Sequence, residues 1–145
     1  SADAVKQVFP FNNVWEGTSM EDQLTAIERY QWLMITSAAI RWISMEPMLE
    51  AIDMDQASRM CLSVDRTKSQ GLDWLVLGGE SGPKRRPFNA DWARKIRNYC
   101  KANGIPFFMK QIDKKLPIPA DLMIREYPLN WAKIEQDVKR KELIE

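Results

Sequence analysis

A chain of 145 residues with 45% hydrophobic side chains is long enough for one well-cored domain and short for two. Its 21 basic against 20 acidic residues leave a net charge of +1, so overall charge argues neither for nor against a nucleic-acid partner. Histidine is absent, which excludes Ser-His and Cys-His nucleophilic catalysis, and Cys61 and Cys100 stand apart without CxxC spacing, so no zinc site is expected and each reads as an intracellular structural residue.

In chain order, residues 1–13 carry no strong period, and Phe9-Pro10-Phe11-Asn12-Asn13 reads as a turn. Val14 to Thr18 form a short strand weakened by Gly17. Ser19 with Asp22 reads as a capping box that opens a helix to about Thr36, on which Leu24, Ile27, Tyr30, Leu33 and Met34 recur at three- and four-residue spacing, with acids near its start. Ile40 to Met45 alternate as a second strand, ended by Glu46-Pro47 because proline cannot continue a ladder. Asp53 or Asp55 caps a short helix through Met60 and Leu62, and the polar run Asp65 to Gly71 reads as a loop.

The stretch Asp73-Trp74-Leu75-Val76-Leu77-Gly78-Gly79-Glu80-Ser81-Gly82 is the centre of the pattern. Its apolar run suits a strand of a parallel sheet covered on both faces or of a barrel's inner ring, and its glycines allow a tight turn or a close ligand where the strand ends. It is no nucleophile elbow, since Pro83 stands where G-x-S-x-G requires its last glycine. Gly82 to Pro87 is a basic loop. Asn89 caps a helix with Trp92, Ile96, Tyr99 and Cys100 on one face, and Asn103-Gly104 closes it. Ile105 to Gln111 is a further strand with Pro106 near its start. The tail holds a proline-rich loop, an extended piece near Leu122 to Tyr127, and a charged helix from about Asn130 with Ile134 and Val138 on one face.

The order β-α-β-(α)-β-α-β predicts an α/β fold, a parallel sheet with right-handed crossovers that resembles half of a (β/α) barrel. It is expected as a single domain over residues 1–145, with its core at 14–111 and an extension at 112–145. Glu46, Gly78, Gly79, Glu80, Ser81, Lys110 and Gln111 all fall at the C-terminal ends of predicted strands, where α/β folds bind ligands. That edge suits a small polar ligand: a carboxylate holds its ammonium, while glycine N–H groups and Lys110 hold its anion. The competing reading makes these residues structural ion pairs, Glu80 with Lys84 or Arg85 and Glu46 with Lys110. Lys84, Arg85 and Arg86 form a candidate anion-binding set. The residues themselves name no catalytic group and no metal site.

The stretches Val14 to Gln23, Ser44-Met45-Glu46-Pro47-Met48-Leu49, Asp73 to Pro83 and Pro106 to Gln111 resemble, in order, a family of uncharacterised phage and mobile-element proteins similar to radical S-adenosylmethionine enzymes, and the likeness extends weakly over Asp121 to Pro128. The resemblance implies the C-terminal half of such a barrel, with Glu80 and its glycines at the methionyl part of S-adenosylmethionine. Members of that family carry a three-cysteine motif for a [4Fe–4S] cluster in an N-terminal part. No such motif occurs here, so an iron–sulfur cluster is expected only if a missing N-terminal half supplies the cysteines. Ser1-Ala2-Asp3 opens the chain without an initiating Met, as processing, a tag remnant or truncation would leave it.

Two alternatives stand beside a small-molecule site. One is a nucleic-acid or protein interaction module using residues 84–86 with Arg94, Arg97 and Lys101 on the following helix. The other is a half-barrel whose open sheet edges pair in a homodimer, with Trp15, Trp42, Trp74 and Trp92 in core and interface. No apolar run approaches the roughly 20 residues of a membrane helix, and no targeting signal opens the chain, so no membrane contact and a cytoplasmic location are expected.

Overall fold

The computed structural model describes residues 14–61 and 71–128. The turn at residues 9–13, Leu62, loop residues 65–70 and the helix expected from Asn130 lie outside the described residues. Among those described, strands and helices alternate as β1 (Trp15–Ser19), α1 (Gln23–Ile35), β2 (Ile40–Met45), α2 (Met54–Met60), β3 (Trp74–Gly78), α3 (Ala90–Asn103) and β4 (Phe107–Gln111), followed by a 3-10 turn at Ala120–Leu122. The strands pair in parallel in the order β1-β2-β3-β4. Each step to the next strand passes through a helix, which gives the arrangement of half a (β/α) barrel.

Helix boundaries follow from caps. Asp22, not Ser19, is the N-cap of α1: its carboxylate accepts the Thr25 N–H at 2.8 Å while the Thr25 hydroxyl accepts the Asp22 N–H at 3.1 Å. Ser19 cannot leave the ladder to start a helix, because it pairs with Ser44 as the last residue of β1. No acid occupies the first turn of α1, as Glu21 and Asp22 precede it. The helix buries Ala26, Tyr30, Leu33 and Met34. Leu24, expected among them, lies two residues from Ala26, hence on the opposite side of a 3.6-residue helix, and is 75% exposed. Asp53 caps α2 through the Gln56 N–H, Asn89 caps α3 through the Asp91 N–H, and Gly104 ends α3 in the left-handed region at φ 66°.

Alternation divides the sheet's two faces. Ile43, Met45, Leu75, Leu77, Phe107 and Met109 join the buried side chains of the three helices in one core. The other face carries aromatic rings, so β3 is covered by helices on one side and by rings on the other. Trp74 is their centre, 5.6 Å from Trp42, 6.1 Å from Trp15, 6.0 Å from Phe108 and 5.8 Å from Tyr127. Its indole N–H donates to the Glu126 carbonyl at 2.9 Å. Trp92 belongs instead to the helical side, edge-on to Phe88.

The outer edge of β4 is occupied. Residue 125 bridges Phe108 in antiparallel sense, the Met109 N–H donates to Ile124 O at 2.8 Å, and the Glu126 N–H donates to Phe107 O at 3.0 Å. Of the sheet edges expected to be open, that of β4 is covered in part: the extended tail takes the Phe107 carbonyl and the Met109 N–H.

Candidate functional site at the C-terminal edge of the sheet

Three strands deliver polar groups to one edge, as expected. Glu46 follows β2, Gly78 ends β3, and Lys110 and Gln111 end β4. Lys110 Nζ lies 3.0 Å from Glu46 Oε2, and Gln111 Nε2 donates to Glu46 Oε1 at 3.4 Å and to Gly79 O at 3.2 Å. Two neighbouring residues of a regular strand would point to opposite faces. Here the pairing passes from Leu77 with Met109 to Gly78 with Gln111, so Lys110 is the extra residue of a bulge and both side chains reach Glu46. The contact crosses β3 at Gly78, where an added Cβ would touch Glu46 and Gln111 at an ordinary 3.5 Å.

Of the glycine pair, Gly79 makes room for backbone. A Cβ on Gly79 would run into the carbonyl oxygen of Ile112 and come within 3.1 Å of Phe88, so this glycine lets the 112 backbone approach β3. Its N–H, expected as a donor to an anion, donates to Gln111 O at 3.0 Å. Lys110 is likewise engaged, by Glu46.

Glu80 pairs with neither Lys84 nor Arg85 but with Arg86. Its carboxylate accepts Arg86 Nε at 3.0 Å, Nη2 at 2.7 Å and the backbone N–H at 2.6 Å. The Arg86 side-chain bonds, then the backbone bond, hold its pKa down at about 2. The turn at Gly82-Pro83-Lys84 folds the loop back so that Arg86 meets Glu80. Arg85 points the other way, its Nε 2.8 Å from Asp113 Oδ2. Asp113 escaped the sequence reading, although an aspartate before Lys114-Lys115 is an Asx-turn signal: its Oδ1 accepts the N–H groups of Lys115 at 2.6 Å and Leu116 at 2.7 Å. The Leu116 N–H, then Arg85, then the Lys115 N–H hold it at about 2.

Between these groups lies an open cleft of ≈ 590 Å³, lined by Glu46 and Pro47 on one side and residues 79–85 on the other. Of the expected site residues, Glu46, Gly79, Glu80, Ser81, Lys84 and Arg85 line it. Gly78, Lys110, Gln111 and Arg86 stand behind it as supports. The same edge carries a cluster at the end of β1 that sequence reasoning missed, where Arg29 Nη1 donates to Ser19 O at 2.7 Å and Ser19 Oγ at 3.0 Å and meets Glu21 Oε2 at 3.1 Å.

Of the basic stripe expected on α3, Arg94 and Arg97 are spent internally, while Lys101 is exposed. Arg94 Nε and Arg97 Nη1 lie 2.9 and 2.8 Å from Asp121 Oδ2, and Arg94 also meets Asp91 at 2.8 Å. Arg94 first, then Arg97, brings Asp121 to about 2 against the opposing effect of desolvation. These pairs fasten the 3-10 turn to α3.

Fold and site together define a class: a four-stranded parallel α/β sheet of half-barrel form with a charged cleft at its C-terminal strand ends. The chain belongs to the family described as Protein of unknown function (DUF5131), whose model matches residues 1–136. Searches of curated proteins and of solved structures return no match. No helix among the described residues is long and apolar enough to cross a membrane.

Proposed function

We propose that the cleft binds a small polar ligand carrying both an ammonium and a carboxylate, of the S-adenosylmethionine type, and that the chain acts as the C-terminal half of a barrel related to radical S-adenosylmethionine enzymes from phages and mobile elements. The observation that carries the ligand reading is the convergence of Glu46, Glu80, Ser81, Lys84 and Arg85 from two strand ends and one loop on a single ≈ 590 Å³ cleft, within the size range of small-molecule sites. The radical-enzyme and phage parts of the reading rest on the sequence resemblance. This chain's own cysteines do not fit an iron–sulfur cluster: Cys61 and Cys100 are both buried, and burial pushes the Cys100 thiol up to about 12, far from the thiolate that a cluster needs. By itself the chain binds its ligand and does not start radical chemistry.

A nucleic-acid module is the weaker alternative, because Arg85, Arg86, Arg94 and Arg97 already hold carboxylates. Calorimetric titration of the chain with S-adenosylmethionine at low and high salt tests the reading. Saturable binding is expected, weakened at least about tenfold by Glu46→Gln, as for loss of a contact to a charged group, while the melting temperature stays close to wild type. Absence of heat at both salt concentrations would remove the ligand reading.

A further inference from the structure

The charges around the cleft do not balance, and the imbalance sits at one place. Glu46, Glu80 and Asp113 are the carboxylates in or directly behind it, and each has its own cation: Lys110 at 3.0 Å, Arg86 at 2.7 Å and Arg85 at 2.8 Å. Lys84, which lines the cleft beside Arg85, is the fourth cation and has no ion-pair partner among the described residues. Arg85 commits only Nε to Asp113, with Nη1 at a long 3.5 Å from Gly82 O, so hydrogens of its outer nitrogens remain for a ligand. The Ser81 hydroxyl completes the set on the same wall.

Binding an ammonium and binding an oxyanion in this cleft are therefore unequal events. An ammonium arriving at Glu46 meets a carboxylate whose charge Lys110 already neutralises, and one arriving at Glu80 meets a carboxylate held by a bidentate guanidinium and a backbone N–H, so each adds a second cation to a pair already balanced. An oxyanion arriving at Lys84 displaces only solvent and gains charge-assisted hydrogen bonds from a lysine, an arginine edge and a hydroxyl.

We infer that the wall from Ser81 to Arg85 is an oxyanion subsite, and that the ligand of this cleft is held chiefly by a carboxylate or phosphate group and only secondarily by its ammonium. This rests on the proposed cleft as the binding site, but not on S-adenosylmethionine as its occupant.

The test titrates the whole chain with S-adenosylmethionine, its decarboxylated form and inorganic phosphate, for wild type, Lys84→Gln and Lys84→Arg. Lys84 supports no other described group, so the variants keep the fold. Lys84→Gln is expected to weaken S-adenosylmethionine or phosphate at least about tenfold, with Lys84→Arg restoring most of the loss, and the decarboxylated form is expected to bind more weakly than its parent. Phosphate binding that needs Lys84, with neither adenosyl compound bound, upholds the subsite and assigns it to phosphate ligands while the S-adenosylmethionine reading falls. S-adenosylmethionine binding that is lost in Glu46→Gln but unchanged in Lys84→Gln overturns the subsite and leaves that reading standing. Failure of all three probes overturns both.

Discussion

Gly78 and Gly79 are neighbours with different reasons to be glycine. A methyl at Gly79 collides with the Ile112 carbonyl oxygen, which is backbone and cannot step aside without moving the turn toward Asp113, whereas a methyl at Gly78 meets Glu46 and Gln111 at an ordinary 3.5 Å. Gly79→Ala is expected to destabilise the chain by about 1–3 kcal/mol, as overpacking does, and Gly78→Ala by clearly less. Denaturant midpoints of the two variants decide it, and equal losses would mean that the Ile112 contact is not what Gly79 provides. The glycine pair at a strand's end was legible in the sequence. That Gly79 serves backbone packing was not, because the colliding carbonyl comes from a distant stretch of chain.

At the scale of elements, what was legible is what is local. Helix α3 was read from end to end because its cap, its apolar stripe and its left-handed glycine all lie within Asn89 to Gly104. Asn89→Ala should cost about 1 kcal/mol through the orphaned N–H of the first turn, and Asn89→Asp should restore it. A thermal melt in which Asn89→Ala matches wild type would remove the cap from the account. Helix α1 was opened three residues early because Ser19-x-x-Asp22 has the letters of a capping box, and only the pairing of Ser19 with Ser44 holds that serine in the sheet. The bulge at Lys110 was invisible for a related reason: it exists only relative to β3.

For the molecule as a whole, ion pairs tie loops to the sheet and helices. Glu80 joins the two ends of the cleft loop, Asp113 anchors that loop to the turn after β4, and Asp121 fastens the tail to α3. All three carboxylates are depressed to about 2 from ordinary values of 4.5 for Glu80 and 3.8 for the aspartates. A group with a lowered folded value stabilises fully above its unfolded value and loses that contribution as pH falls through the folded one. Asp73 acts in the opposite sense, since burial raises its carboxyl, but it is one group against these three and Asp22, which the Thr25 N–H and hydroxyl also lower. Urea midpoints are therefore expected to hold above pH 4.5 and fall between there and pH 2. The fall should be shallower in Glu80→Gln and Asp121→Asn. A midpoint that stays constant to pH 2 would contradict this role for the pairs.

By itself the sequence determined the order of strands and helices, the parallel class of the sheet and the edge where polar groups gather, because hydrophobic period, caps and turn residues act over a few neighbours. The sequence reading also named the Glu46–Lys110 pair, but tertiary structure alone decided the other partners: Arg86 rather than Lys84 on Glu80, Asp113 on Arg85, Asp121 on the α3 arginines, and the tail on the edge of β4. Long charged side chains reach many candidates, and which one they meet depends on how the loops fold back, a question of distance in space that spacing along the chain does not answer.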